Sequence, residues 1–257
     1  MRPYANQTAE ILRQVAASMR AERSEEGIPT EDALHPLLVE RAEKKALFLV
    51  LSSDRGLCGA FNTNILKAVE REWKARLANG HQVAFATIGK KGTDFLNRKS
   101  APIVRDFERL YENLDLSRAR LVCEWLIPRY LKEEWDAVYL IHNEFKSAIA
   151  QKVLFHRLLP LPVSELDQAN EIDYLFEPDR KALLEQLVPM YIEISIYQAL
   201  LESQASEHGA RMTAMDAATR NAKEMIGKLT LLYNRARQAA ITKELMEIIG
   251  GAEALKG

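Results

Sequence analysis

After Pro189 the chain contains no further proline, and Ser206–Ile249 reads as one unbroken helix. At about 1.5 Å per residue such a segment spans about 66 Å, roughly twice the diameter of a small domain. Helices in globular proteins usually have only three or four turns. The expectation is therefore a helix that runs past whatever globule the remaining residues build. Eleven glycines and nine prolines in 257 residues suit this, because those residues interrupt helices.

The apolar pattern of the segment is specific. Met215, Ala218, Ala222, Met225, Leu229, Leu232, Ala236 and Ala239 follow at alternating spacings of three and four, and Met246 rejoins after an interruption at Lys243. A sustained seven-residue period winds a helix left-handed against a second helix. A long amphipathic helix packed on its own domain is the plainer alternative. The other amphipathic candidate is Met1–Arg23, with Tyr4, Thr8, Ile11, Val15 and Met19 at helical spacing, ended by Gly27 and Pro29. It is about half as long as the C-terminal segment. Part of the seam thus calls for a longer N-terminal helix than this sequence has, or for another protein around it.

Between these helices, strands alternate with helical segments. Ala46–Leu51 is a continuous apolar run of the kind buried on both faces of a parallel sheet. Gln82–Ile88, Ile103–Phe107, Ala137–His142 and Lys152–Leu159 follow as strands. Helical patterns separate the first four, which implies a mostly parallel sheet covered by helices. No helix fits between the last two, so they form an antiparallel edge hairpin. The expected fold class is α/β: a Rossmann-like, mostly parallel sheet of about five strands with an antiparallel edge, plus a long N-/C-terminal antiparallel coiled coil. The divisions are 1–24 for the N-terminal helix, 44–165 for the α/β domain and 190–257 for the long C-terminal helix.

Composition excludes several functions. Thirty-five Lys and Arg against 36 Asp and Glu leave a formal net charge of −1, which argues against a general nucleic-acid binder. The first 23 residues carry Arg2, Glu10, Arg13, Arg20, Glu22 and Arg23, so they lack the apolar core of a signal peptide. Apolar runs fall far short of the ~20 residues that cross a bilayer; membrane association would come through a partner. Cys58 and Cys123 form no CxxC and suit a reducing compartment.

Candidate chemistry is sparse. The loop Asp54–Asn62 follows a strand and opens a helix, where phosphate-binding loops sit. It is neither GxGxxG nor GxxxxGK[ST], and a tight glycine turn with Asn62 or Thr63 capping the helix accounts for it. Cys58 stands at a helix start, where thiol pKa values fall, but no partner signature accompanies it, and a buried side chain explains it as well. His35, His81, His142, His156 and His208 show no ligand spacing, so no metal and no cofactor is expected. On the C-terminal helix, Arg211, Arg220, Lys223, Lys228, Arg235, Arg237 and Lys243 outnumber the acids. That is either a solvated face or a partner contact, where arginine is enriched.

Ser206-Glu207-His208-Gly209-Ala210-Arg211-Met212-Thr213-Ala214-Met215-Asp216-Ala217-Ala218-Thr219-Arg220-Asn221-Ala222 strongly resembles the gamma subunits of F-type ATP synthases, and so does Leu232–Ala252. The family's C-terminal signature, Ile-Thr-x-Glu-x-x-Glu-x-x-x-Gly-Ala, is matched throughout by Ile241–Ala252. Leu51–Asn64 resembles the family's first strand and loop, and Tyr174–Pro178 with Asp179 its Glu-Pro-Asp segment. The similarity runs from Arg2-Pro3-Tyr4-Ala5 to the end of the chain.

The resemblance implies a rotor shaft without an active site. Its N- and C-terminal helices would form an antiparallel coiled coil inside an alpha/beta hexamer. The α/β domain would sit at the base beside the epsilon subunit and the membrane-embedded c-ring. Ion flow, of protons in the usual case, would turn ring and shaft together and so drive ATP synthesis on the hexamer. By motif, Arg237, Gln238, Thr242, Glu244 and Glu247 fall in the segment contacting the hexamer, and Glu177 falls near the c-ring. One copy per complex is implied, peripheral on the cytoplasmic face of a bacterial cell membrane. Family members usually begin roughly forty residues earlier, with a basic helix pairing with the upper half of the C-terminal one; this sequence opens inside that helix. The rival readings are a nucleotide-binding α/β enzyme using the Asp54–Asn62 loop and a coiled-coil adaptor.

Overall fold

The structure, a computed structural model, describes residues 3–4, 7–12, 14–15, 35–161 and 180–255. The expected breaker at Gly27–Pro29, the rest of the N-terminal helix to Arg23 and the segment holding Glu177 lie outside the described residues.

Strand β1 (Lys45–Leu51) is buried from Ala46 onward, and its alternation builds two cores. Successive side chains of a strand point to opposite faces. Leu47, Leu49 and Leu51 enter one apolar cluster, while Ala46, Phe48 and Val50 enter the other. A strand apolar on both faces belongs in the middle of a sheet, and the strand order is β3-β2-β1-β4-β5. Strands β2 (Gln82–Ile88), β3 (Ile103–Phe107) and β4 (Ala137–Phe145) run parallel to β1, and β5 (Gln151–Leu159) pairs antiparallel with β4. The expected mostly parallel five-stranded sheet with an antiparallel edge is what forms.

On the even face lie helices α1 (Phe61–Ala78) and α2 (Lys90–Arg98), which contribute Ile65, Leu66, Val69 and Leu96. Phe48 is central there, with Phe85, Tyr139 and Phe155 edge-on at centroid distances of 5.7, 5.8 and 5.3 Å, the orientation that aligns ring edge with ring face. On the odd face lies helix α3 (Leu116–Leu131), whose N-cap Asp115 accepts from the Arg118 N–H, as capping acids do. Beside it runs helix α4 (Arg180–Ala254), 75 residues long, burying Leu184, Val188, Ile192, Ile196, Ala199 and Leu200.

Helix α4 starts well before Ser206 and contains Pro189. An interior proline costs roughly 3 kcal/mol of helix stability. Apolar burial on both sides of Pro189 offsets that cost. Within the N-terminal segment the packed face is Thr8, Leu12 and Val15, while Tyr4 and Ile11 are exposed. The four-then-three spacing therefore passes through Leu12, not through the expected Ile11.

The ends of the central strands are tied at their starts as well. Asp136 Oδ2 accepts from the backbone N–H groups of Lys44 and Lys45, at 2.9 and 2.8 Å. Asp136→Ala is expected to lower stability by about 1 kcal/mol, measured as a drop in the urea midpoint at unchanged slope.

The chain divides into two compact units, Met1–Arg211 and Met212–Gly257. The second unit is helical to Ala254, and every described residue from Ala218 onward is exposed.

Candidate functional site

In open α/β sheets, ligands bind outside the carboxyl ends of the strands where the winding direction reverses. Here that crevice lies between β1 and β4, since β2 and β3 occupy the other side of β1. The loop Ser52–Asn62 forms one wall. Ser52 Oγ donates to the Gly89 carbonyl at 2.8 Å and accepts from the Gly92 N–H at 2.7 Å. The Lys91 N–H donates to the Ser53 carbonyl at 3.0 Å. This stitching requires Gly89: its φ is +96°, and a Cβ there would lie 2.2 Å from the Ser52 carbonyl oxygen.

Asn62 does not cap α1, nor does Thr63. The N-cap is Ala60, without a side-chain bond. The Asn62 amide instead closes the loop, accepting from the Ser53 N–H at 3.1 Å and donating to Ser53 Oγ at 2.7 Å. Local sequence spacing favoured a cap; the loop's own unpaired groups outcompeted it. Cys58 is buried with Phe61 and Ala210 in a small apolar cluster, with the Asn62 amide nitrogen 3.2 Å from its sulfur. This is the setting of a packed side chain. Among the described residues no cluster of His, Cys, Asp and Glu could hold a metal ion.

Helix α4 fills the crevice itself. Ser206, fully buried, donates to the Asn143 carbonyl at the end of β4 at 3.0 Å. Ala210 meets Cys58 and Phe61. Arg211 donates to the Gly56 carbonyl at 3.4 Å and pairs with Glu207. The buried face Glu202, Ser203, Ser206, Glu207 and Ala210 follows helical spacing and is mostly polar. A carbonyl at a strand end needs a donor when buried, and Ser206 supplies it to Asn143, while Ser203 accepts from Tyr111 and Glu207 pairs with Arg211. Sequence reading missed this docking. The available signal was Gly209, since a glycine inside a strong helix pattern usually has a packing reason.

Beside the docked helix, a cleft of about 600 Å³ opens among Asp54, Lys90, Thr93, Asp106, Glu207 and Arg211. Its charges are mixed in sign.

His142, on β4 next to the docked helix, is nearly fully buried. Burial pushes its pKa down to about 4, against the opposing pull of Glu202, whose carboxylate lies 3.9 Å away, and of Glu144; His156 adds to the lowering. The folded state favours the neutral ring, so its stability is complete above the unfolded value of 6.5. It declines as pH falls from 6.5 toward 4. The size is on the order of 3 kcal/mol. His142→Gln is expected to flatten the stability profile over that window, read from denaturant midpoints at successive pH values.

The residues on α4 expected to meet partners belong to the second unit. Arg237, Gln238, Thr242, Glu244 and Glu247 are all on α4 and all exposed. Gln238 and Thr242 are one helical turn apart, and Lys243 pairs with Glu247 at 3.6 Å. The seam residues Leu229 and Leu232 are 58% and 59% exposed. Glu177 lies outside the described residues.

A family model described as ATP synthase matches residues 1–255. A protein of Sorangium cellulosum named ATP synthase gamma chain is 52% identical over all of this chain and 87% of its own length. The chain belongs to the ATP synthase gamma family. A gamma chain of Geotalea daltonii is 47% identical over the whole of this chain and 85% of its own length. Among solved structures, a chain from the central stalk and c-ring of the Tetrahymena thermophila mitochondrial ATP synthase matches with a TM-score of 0.56 at 27% identity, covering 81% of this chain and 98% of that one. A chain of the Euglena gracilis mitochondrial enzyme shares the fold with a TM-score of 0.65 at 21% identity, over 99% of this chain and 90% of that one. In this member of the gamma family the crevice is occupied by the chain's own helix.

Proposed function

We propose that this chain is the rotating central shaft of an F-type ATP synthase, coupling ion flow, of protons, through the membrane sector to ATP synthesis in an alpha/beta hexamer. The observation that carries this reading is the exposed, uninterrupted helix from Ala218 to Ala254 with its seven-residue apolar seam. A helix that leaves Leu229 and Leu232 in water needs a surrounding partner.

In this reading the C-terminal helix pairs antiparallel with the N-terminal one in a coiled coil inside the hexamer, with Arg237, Gln238, Thr242, Glu244 and Glu247 facing the alpha and beta subunits. The α/β domain stands at the base beside the epsilon subunit and the c-ring, with Glu177 on the c-ring side. Catalysis belongs to the hexamer, and this subunit binds no nucleotide. The filled crevice supports that assignment, because the fold's ordinary nucleotide position is taken. Among the described residues no helix is long and apolar enough to cross a membrane, which suits a peripheral subunit held at the cytoplasmic face of a bacterial cell membrane by its partners.

The test is co-expression of this chain's Met246→Cys variant with alpha and beta subunits, followed by cross-linking. One copy per hexamer, with cross-links to alpha or beta, is expected. A cross-link between two copies of this chain would instead favour an adaptor. Tight ATP binding to the isolated chain, abolished by substituting Gly56 and Gly59, would favour an enzyme.

A further inference from the structure

The docked stretch of α4 does more than fill space. Three independent features converge on residues 203–211. Gly209 sits mid-helix, where glycine costs about 1 kcal/mol relative to alanine. A Cβ there would meet Ala148 Cα at 3.0 Å and the Phe145 ring at 3.2 Å, so the helix backbone lies directly against the β4–β5 hairpin. Ser206 is fully buried and bonded to the Asn143 carbonyl. On the other flank, Arg211 reaches the Gly56 carbonyl and Ala210 packs on Cys58 and Phe61. Farther back, Tyr111 donates to Ser203 Oγ at 3.3 Å, and Gln204 to the Tyr111 carbonyl at 3.4 Å. The helix is thus gripped from both sides, by the loop after β1 and by the hairpin after β4, over its last two turns in the first unit.

We infer that this crevice is a socket that fixes α4 against rotation, with Ser206, Gly209 and Arg211 as the positioning residues that set where the helix begins to twist under load. The inference rests on the shaft reading. A twisting moment applied to a helix is resisted only where side chains and backbone meet fixed neighbours. Upstream, the interdigitated side chains from Leu184 to Leu200 resist rolling by their bulk. A close backbone approach and hydrogen bonds to strand ends fix the rotational setting.

Releasing the socket lengthens the compliant stretch from residues 212–254 to residues 203–254. Torsional compliance scales with length, so the angular variance of a stalled shaft rises about 1.2-fold.

The experiment uses the assembled complex with a probe on the shaft, stalled between catalytic steps. One variant, Gly209→Leu, forces the backbones apart. A second, Ser206→Ala with Arg211→Met, removes the polar ties without adding bulk, and its thermal unfolding is measured beside the parent's to confirm that it folds. The expected result is a larger angular variance in both, at an unchanged rate of unloaded ATP hydrolysis. Unchanged variance in both variants, in a complex that rotates normally, overturns the socket and leaves the shaft reading standing. A complex whose unsubstituted chain does not rotate overturns both.

Discussion

Replacing Leu229 and Leu232 with aspartate is expected to abolish coupled ATP synthesis by the assembled complex while leaving the melting of the isolated chain unchanged. The two outcomes separate because both side chains are exposed in the chain itself, at 58% and 59%, and contribute little to its fold. In a seam each leucine would bury its side chain for roughly 2 kcal/mol. A carboxylate in the same place adds the cost of desolvating a charge without a partner. Summed over two positions the loss is at least about 5 kcal/mol, enough to weaken pairing by more than a thousandfold. Synthesis by vesicles containing the complex and thermal unfolding of the isolated chain are the two measurements. Synthesis at the unsubstituted rate would remove the seam from the mechanism.

The largest effect on folding is expected at Gly89. Gly89→Ala is predicted to destabilise the α/β unit by about 3 kcal/mol or more, because it combines a left-handed backbone with a Cβ in contact with backbone. The clash is with the Ser52 carbonyl oxygen at 2.2 Å, at a φ of +96°. Backbone on backbone leaves no flexible atom to yield, and Ser52 itself is fixed by its bonds to Gly89 and Gly92. Gly56 is the control: a Cβ there meets nothing within 4 Å. Gly56→Ala should leave the denaturant midpoint within about 0.5 kcal/mol of the parent. Equal losses at both glycines would show that loop conformation in general, and not this contact, sets the stability.

Much of the fold was legible because it is written in local periodicity. Gln82–Ile88 and Ile103–Phe107 are strands over the ranges their apolar patterns suggested. The run Ala46–Leu51 is buried on both faces, as its lack of alternation implied. The misses share a cause: each depends on a partner distant in sequence. Strand β4 continues to Phe145 because Phe145 pairs with Gln151 across the hairpin. Helix α4 continues back through Pro189 because Leu184 and Val188 enter the core. Leu12 displaces Ile11 on the packed face for the same reason. The crevice was the least legible feature, since Ser206 reads as an ordinary polar helix residue until Asn143 is placed beside it. The family motifs at Leu51–Asn64 and Ile241–Ala252 located the relevant segments, but not the fact that helix and loop meet.

Continuity of α4 from Arg180 to Ala254 divides its residues into two classes of evolutionary freedom. A single-residue deletion between Leu184 and Arg211 would turn every later buried side chain by about 100° and tear the core from the sheet. Removing seven residues from the exposed stretch after Ala218 returns the seam to nearly the same face, about 20° away, and touches nothing that folds the first unit. The reach of the exposed stretch is therefore a quantity selection can adjust in whole heptads, independently of the thermodynamics of the domain that bears it.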